Sequence, residues 1–231
     1  MLRPDTDTWI FDLDDTLYPR ASGLHEQMRM RVVRFIQELI GCDAEAAASL
    51  HAEYYHRYGT SMIGLSRHHG VQPMDFLAFV HEIDLAALDV TGVPADALAA
   101  LPGRRLVFTN GSAAHARRIL SHLRIDDLFD GICDIEACAF VGKPAREAYD
   151  AFLSRHEVDP LRSVFFDDRE VNLRVPFDLG MQTVLIGDRG EENSFPHVHV
   201  CSSELGAILA KVSAGGVRVS SPELKVVPST L

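Results

Sequence analysis

The sequence predicts an α/β fold in which a parallel sheet carries helices on both faces and an all-helical segment follows the first strand. Two observations lead to this prediction. From about residue 95 onward, short apolar runs alternate with segments of helical periodicity, which is typical of a parallel sheet. Before that region, residues 20 to about 90 show helical periodicity alone. We therefore expect residues 1–19 and 95–231 to form the sheet core and residues 20–94 to form a helical cap.

Composition and charge limit the classes of protein to consider. The chain has 231 residues, of which 47% are hydrophobic and 24% charged, an ordinary globular composition. A net charge of −11 disfavours binding of a nucleic-acid polymer, because the phosphate backbone would be repelled. No run approaches the ~18 apolar residues of a membrane span, and the first residues lack the apolar segment of a secretory signal. The four cysteines show no metal-type spacing, so we expect a reducing, cytoplasmic location.

The first strand and the cap are predicted from two different periodicities. The apolar run Trp9–Leu13 is typical of a buried parallel strand. Apolar residues then recur at spacings of three and four across Leu24–Leu39, which predicts a helix that ends at Gly41. Further cap helices are predicted over about 44–58, over about 62–69, and from Pro73 onward, where proline suits the first turn.

Strands and helices alternate in the remainder of the chain. Strands are predicted at 105–108, 132–135, 164–166, 183–186 and 197–200. Helices are predicted at 94–102, 113–123, 144–155, 172–179 and 204–212. The last stretch, 213–231, contains Gly, Ser and Pro without a clear period, and we expect an extended tail or an edge strand there.

Polar side chains follow several of the predicted strands at the point where each strand or the next turn ends. They are Asp12, Asp14, Thr109, Asn110, Lys143, Asp167 and Asp168. Ligands of open α/β sheets bind beyond the carboxyl ends of the strands, so we expect these groups to form one site. Three or four carboxylates in one cleft need a cation to stay ionised, and an all-oxygen set with phosphate favours Mg²⁺.

The same set predicts chemistry at phosphorus. Lys143, Thr109 and the amides of a following helix start offer a positive charge and donors to an anion. A carboxylate near the metal can attack phosphorus and form an acyl phosphate. A second carboxylate, two residues further on, can donate a proton to the leaving oxygen and later activate water.

Four motifs resemble, in chain order, those of the haloacid dehalogenase-like hydrolase superfamily. They are DLDDT (12–16), FTNGS (108–112), GKP (142–144) and FFDD (165–168). The resemblance covers about residues 8–190 and implies a Rossmann-like parallel sheet core with an inserted all-helical cap. Three further stretches, LYP at 17–19, LPGRRLVFTNG at 101–111 and KPAREAYDAF at 143–152, resemble bacterial pyrimidine 5'-nucleotidase-like members more closely.

The resemblance implies catalytic roles for five residues. Asp12 would be the nucleophile, and Asp14 the general acid and base, steadied by Thr16. Thr109 would bind the phosphate, and Lys143 would be the cation beside both phosphate and nucleophile.

The resemblance also implies the ligands of a Mg²⁺ cofactor and a further phosphate contact. Asp12, the backbone carbonyl of Asp14, and Asp168 would hold the metal. Asp167 stands where many members have glycine and would add a ligand, directly or through water. Asn110 would support phosphate binding. Asn172 stands where many members have another acidic residue.

The function implied is that of a Mg²⁺-dependent phosphomonoesterase with an aspartyl-phosphate intermediate. Its substrate would be a small phosphorylated metabolite, a pyrimidine nucleoside 5'-monophosphate such as UMP or CMP. A sugar-phosphate phosphatase or a phosphomutase of the same superfamily is an alternative. Dehalogenation is disfavoured, because similar dehalogenases lack an aspartate at the position of Asp14. A catalytically silent binding or regulatory module is the alternative of another class, and the intact motif set argues against it.

The cap offers further candidates for contacts with the substrate. Tyr54, Tyr55 and Tyr58 follow helical spacing, and Tyr58 is our candidate substrate contact there. The alternative is that these rings pack in the core of the cap.

Overall fold

A six-stranded parallel sheet forms the centre of the fold in the computed structural model, which describes residues 2–89, 93–187 and 195–213. Its strands are β1 (Thr8–Phe11), β2 (Arg104–Phe108), β3 (Gly131–Cys133), β4 (Ser163–Asp167), β5 (Gln182–Ile186) and β6 (Val200–Ser202). Their order is β3-β2-β1-β4-β5-β6, and each adjacent pair is parallel. The predicted α/β fold with a parallel sheet is therefore confirmed.

Helices connect the strands in two groups. Between β1 and β2 lie α1 (Leu24–Ile40), α2 (Ala44–Tyr58), α3 (Ser61–His69), α4 (Pro73–Val80) and α5 (Ala95–Ala99). The later ones are α6 (Ala113–Leu123), α7 (Arg146–His156), α8 (Arg174–Asp178) and α9 (Leu205–Ser213), which follow β2, β3, β4 and β6 respectively. Within the described residues, no helix is long and apolar enough to cross a membrane.

Local sequence signals place the ends of the cap helices. The helix α1 ends at Gly41, whose φ of 69° is in the left-handed region that glycine adopts at low cost. The helix α2 begins after Asp43, whose carboxylate accepts a hydrogen bond from Ala46 N at 2.8 Å. It ends at Gly59 with a φ of 78°. These ends agree with the predicted ones because caps are short-range interactions.

The cap helices and the sheet have separate apolar clusters. Val32, Ile36, Leu65, Phe76 and other side chains of α1–α4 pack together in one cluster, which also includes Ile135 after β3. A cluster of apolar side chains packs against each face of the sheet. One cluster includes Phe11 and Phe166, and the other includes Phe108 and Phe165. The domain boundaries at residues 19 and 94 stay a prediction.

Every strand differs from its predicted range by at least one residue, and side-chain hydrogen bonds to the backbone are found where β3 and β6 differ. β3 ends at Cys133, not at residue 135, since the Asp134 carboxylate accepts hydrogen bonds from Ala113 N and Ala137 N at 2.8 and 2.9 Å. β6 begins at Val200 rather than at residue 197, where the Thr183 hydroxyl donates to the backbone carbonyl of His197 at 2.7 Å.

Several predicted helices are shorter than expected, and one is divided. The helix expected over 94–102 covers only Ala95–Ala99, and the one expected from residue 144 begins at Arg146. The helix expected over 172–179 is a 3₁₀ turn at Glu170–Leu173 followed by α8. The tail expected over 213–231 lies, apart from the last residue of α9, outside the described residues.

Candidate active site

A cavity between the sheet and the cap brings most of the predicted site residues together. It has a volume of 230 Å³ and lies where β1, β2 and β4 end. The sheet core contributes six of the predicted residues to the lining of this cavity: Asp12, Asp14, Thr109, Asn110, Lys143 and Asp168. Thr16 and Asp167 are buried next to these residues: Thr16 Oγ1 lies 3.5 Å from Asp12 Oδ2, and Asp167 contacts Lys143.

The buried ammonium group of Lys143 joins the ends of three strands. Its Nζ donates to Asp12 Oδ1 at 2.8 Å, to Asp167 Oδ2 at 2.9 Å and to the Phe108 carbonyl at 2.8 Å. Burial alone would lower the pKa of Lys143, but the two carboxylates outweigh it and raise the pKa. The lysine is therefore a fixed positive charge against the predicted nucleophile.

Asp167 is held by donors on both carboxylate oxygens. Besides Lys143, it accepts from Arg169 N at 2.9 Å and from Asn172 Nδ2 at 2.9 and 3.1 Å. A carboxylate at position 172 could not donate in this way, so the asparagine there fits the aspartate at 167. Sequence reasoning noted both departures from the superfamily pattern but not that they compensate each other.

Asp12, Asp167 and Asp168 form an acidic cluster in which one oxygen of each lies within 4.8 Å of the others. Burial, and then the neighbouring carboxylates, raise the pKa of Asp12 well above its usual value despite the opposing effect of Lys143. Burial and Asp167 raise the pKa of Asp168 to about 7. One lysine therefore does not neutralise the cluster, and the all-oxygen donor set fits a hard divalent cation such as Mg²⁺.

Asn110 and Thr109 organise the loop after β2. Asn110 Nδ2 donates to the Lys143 carbonyl at 2.9 Å, and Lys143 N donates to Asn110 Oδ1 at 2.7 Å. This pair of bonds fixes the backbone that carries the lysine. The Thr109 hydroxyl is buried and accepts from Gly111 N at 2.9 Å. Its predicted contact with phosphate, and that of Asn110, stay predictions.

Asp14 has two partners that sequence reasoning did not single out. The Tyr18 hydroxyl donates to Asp14 Oδ1, and His115 Nε2 lies 2.9 Å from the same oxygen. Burial alone would raise the pKa of Asp14, but its contacts with His115 and Tyr18 outweigh burial and hold it well below the ordinary value. His115 lies three residues after Ser112, whose side chain caps α6 by accepting from His115 N, and this position in the sequence does not indicate the contact with Asp14.

The cap forms the opposite wall of the cavity. Its lining residues include Met28, Val32, His51, Tyr55, Thr60, Met62 and Phe76. The Arg169 guanidinium carbon lies 5.3 Å from the centre of the Tyr55 ring, so core and cap meet there. Of the three predicted tyrosines in the described cap, Tyr55 lines the cavity, whereas the Tyr58 hydroxyl lies 2.6 Å from His68 Nε2 outside it. A substrate contact by Tyr58 stays a prediction.

Sequence comparison finds a family match over most of the chain. Residues 6–175 match the profile of the haloacid dehalogenase-like hydrolases. The phosphate metabolism protein 8 of Saccharomyces cerevisiae is 28% identical over 204 residues, which cover 79% of this chain and 63% of the yeast protein. The chain thus spans less than two thirds of that relative.

Solved structures share the fold at low sequence identity. CbbY from Rhodobacter sphaeroides in complex with phosphate has a TM-score of 0.63 and 20% identity, covering 88% of this chain and 96% of CbbY. The L-2-haloacid dehalogenase from Xanthobacter autotrophicus has a TM-score of 0.57 and 14% identity, covering 92% and 100% of the two chains. These matches show the fold, and the choice between phosphate-ester and carbon–halogen chemistry depends on the residues of the site.

Proposed function

The chain belongs to the haloacid dehalogenase-like hydrolases, and on that premise we propose that it is a Mg²⁺-dependent phosphomonoesterase that forms an aspartyl phosphate on Asp12. One observation carries the proposal: Lys143 Nζ lies 2.8 Å from Asp12 Oδ1, and Asp14 lines the same cavity. A carboxylate fixed by a buried cation suits a nucleophile, and the second carboxylate suits proton transfer to an ester oxygen. A departing halide needs no such proton.

The first half-reaction transfers the phosphoryl group to Asp12. A carboxylate oxygen of Asp12 attacks phosphorus, and the bond from phosphorus to the ester oxygen breaks. Protonated Asp14 gives its proton to that oxygen, which leaves as an alcohol. Lys143 offsets the negative charge of the nucleophile and of the phosphoryl oxygens. A bound phosphate dianion adds negative charge beside Asp14 and so raises its pKa, which favours the protonated acid.

The second half-reaction releases phosphate. Asp14, now ionised, takes a proton from water while the water oxygen attacks phosphorus and the acyl–phosphate bond breaks. Asp12 returns to a carboxylate, and Asp14 again carries a proton. The contacts of Asp14 with His115 and Tyr18 lower its pKa in the absence of substrate, which favours the ionised form that accepts the proton but lowers its strength as a base.

Asp12, Asp168 and the backbone carbonyl of Asp14 would hold the Mg²⁺ ion. When bound, it supplies positive charge that polarises the phosphoryl group. Asp167 already accepts hydrogen bonds from Lys143, Arg169 N and Asn172 on its two oxygens. We therefore assign Asp167 chiefly to holding Lys143 in place, and a contact of Asp167 with the metal would pass through water.

Magnesium is expected to raise the melting temperature more at about pH 8 than at about pH 6. The pKa of Asp168 rises from 3.8 to about 7 on folding, so the metal-free folded protein holds a proton there that the unfolded chain releases. That shift lowers metal-free stability as pH rises from about 4 to about 7. Below about pH 7 a metal ion must displace this proton, which weakens binding. Thermal unfolding with and without MgCl₂ across this range measures the effect.

Asp168→Asn is the variant for that measurement, because it removes the titrating carboxylate. Its Mg²⁺-induced rise in melting temperature should be small, and it should differ less between pH 6 and pH 8 than that of the unmodified protein. Asp178→Asn, which changes one charge on α8, should behave like the unmodified protein. An equal Mg²⁺ effect at both pH values in the unmodified protein would contradict the assignment of Asp168.

We propose a pyrimidine nucleoside 5'-monophosphate, UMP or CMP, as the substrate. Support comes from the sequence resemblance and from a cavity whose cap wall combines apolar side chains such as Met28 and Phe76 with the polar His51 and Thr60. Such a wall suits a flat heterocycle with polar edges better than a sugar that is polar throughout.

We further propose a cytoplasmic location, consistent with four cysteines outside any disulfide.

Phosphate release from nucleotides and sugar phosphates tests the proposed function. We expect cleavage of UMP or CMP that stops when Mg²⁺ is chelated. Cleavage of sugar phosphates alone would support the proposed chemistry and exclude a nucleotide substrate. Conversion of the substrate without phosphate release would indicate a mutase. Chloride release from a 2-haloacid would indicate a dehalogenase. Binding of a phosphorylated ligand without turnover would favour the silent binding module.

A further inference from the structure

We propose that His115 is a positioning residue that, together with Tyr18, fixes which oxygen of Asp14 transfers the proton. Both partners engage Oδ1, which leaves Oδ2 to exchange a proton with the leaving oxygen and later with water. The inference rests on the proposed function, because it assigns a role in the proton transfer made by Asp14.

The contacts to Asp14 are concentrated on one atom. His115 Nε2 lies 2.9 Å from Oδ1, and the Tyr18 hydroxyl donates to the same oxygen. In the described part of the chain, the hydrogen bonds to the Asp14 side chain all end on Oδ1. A carboxyl group with one oxygen held by two donors cannot rotate freely, so the direction of its other oxygen is fixed.

The imidazole of His115 directs its polar contact to Asp14. Its side chain is 0% exposed, and within residues 2–89, 93–187 and 195–213 its Nδ1 has no hydrogen-bond partner. A buried ring that leaves one nitrogen unpaired costs stability, because that nitrogen has lost its hydrogen bonds to water. A histidine kept only for packing would be replaceable there by an apolar ring. The contact between Nε2 and Asp14 is the feature that an apolar ring cannot supply.

The plane of His115 is set from the cap side of the site. The His81 ring, which follows α4, stacks on His115 with 4.1 Å between ring centres and 14° between planes. His81 Nδ1 lies 3.1 Å from the Ser112 hydroxyl, and Arg118 donates to the His81 carbonyl at 2.9 Å. His81 is thus held by Ser112, the N-cap residue of α6, and by Arg118 within α6. The segment that leads out of the cap helices therefore supports the ring that orients Asp14.

This role predicts a dependence on the leaving group. Proton donation matters greatly when an alkoxide leaves, as from an alkyl phosphate, and little when 4-nitrophenolate leaves, since that anion is stable without a proton. Loss of positioning should therefore slow the first half-reaction of alkyl phosphates selectively, whereas the second half-reaction, in which Asp14 activates water, is common to both substrates. A general disturbance of the site would slow both substrates alike.

The test compares His115→Phe with the unmodified protein on both kinds of substrate. Phenylalanine keeps a ring for stacking on His81 and removes the Nε2 contact. We expect the single-turnover rate of leaving-group release, which reports the first half-reaction alone, to fall about 10- to 100-fold for UMP, or for the best alkyl phosphate found, and less than about threefold for 4-nitrophenyl phosphate. Tyr18→Phe, which removes the other donor, should show the same selectivity. His122→Phe, on the same helix α6, is the matched control and should change neither rate.

Asp14→Asn provides the reference for the interpretation. If it shows leaving-group selectivity and His115→Phe and Tyr18→Phe do not, the positioning role is wrong and the proposed function stands. Equal loss on both substrates in the two positioning variants would likewise overturn it. If the unmodified protein releases no phosphate, or Asp14→Asn shows no selectivity, the proposed function fails and the inference with it. Should His115→Phe not fold, Tyr18→Phe decides alone.

Discussion

Asp12→Asn is expected to abolish phosphate release, with kcat lowered by about 10³-fold or more, because the amide cannot form the acyl phosphate. The variant should remain folded. Asparagine keeps an oxygen that can accept the hydrogen bond from Lys143 Nζ, now 2.8 Å from Asp12 Oδ1. It also removes a carboxylate whose pKa is raised by burial and by its acidic neighbours. Phosphate release and urea unfolding, measured on the same sample, separate loss of chemistry from loss of structure.

The control for this variant is a charge change away from the site. Asp150→Asn removes a carboxylate that pairs with Arg146 on the exposed side of α7, and it should leave turnover unchanged. The unmodified protein should also become labelled on Asp12 by substrate, as detected by mass spectrometry after rapid acid quench. Activity of Asp12→Asn within tenfold of the unmodified protein would exclude Asp12 as the nucleophile.

Lys143→Met is expected to lower both stability and turnover. Methionine has a similar length but no charge, so Asp12 and Asp167 would be left buried without their shared cation. Removing one partner of a buried ion pair typically costs about 3–5 kcal/mol, and loss of the charge beside the phosphoryl group should reduce kcat about 100-fold or more. Urea unfolding and phosphate release measure the two effects.

Two further variants show whether the loss arises from uncompensated charge. Lys211→Met alters an exposed lysine of α9 and should change neither quantity. The double variant Lys143→Met with Asp12→Asn should be more stable than Lys143→Met alone, because one unpaired buried carboxylate is gone. If the double variant is as unstable as the sum of the single ones, the charge network is not the reason for the loss.

Much of the fold follows from short-range patterns. The apolar run before Asp12 forms β1, and the glycines at 41 and 59 end α1 and α2 where the sequence predicts. The alternation of apolar runs and helical periodicity predicts the parallel sheet, and the polar groups after the strands predict where the cavity lies. These features depend on neighbours a few residues apart, and such interactions can be inferred from the order of residue types.

The sequence alone also predicted most of the polar core groups at the cavity, whereas the tertiary structure decided how they are paired. Lys143 and Asp12 are 131 residues apart, and His115 and Asp14 are 101 residues apart. Asn172 donates to Asp167 because the 3₁₀ turn after β4 folds back onto that strand end. Such contacts depend on how α6, the turns and the cap pack against the sheet. Packing of distant elements leaves no periodicity in the sequence, so the partners of Asp14 were visible only in three dimensions.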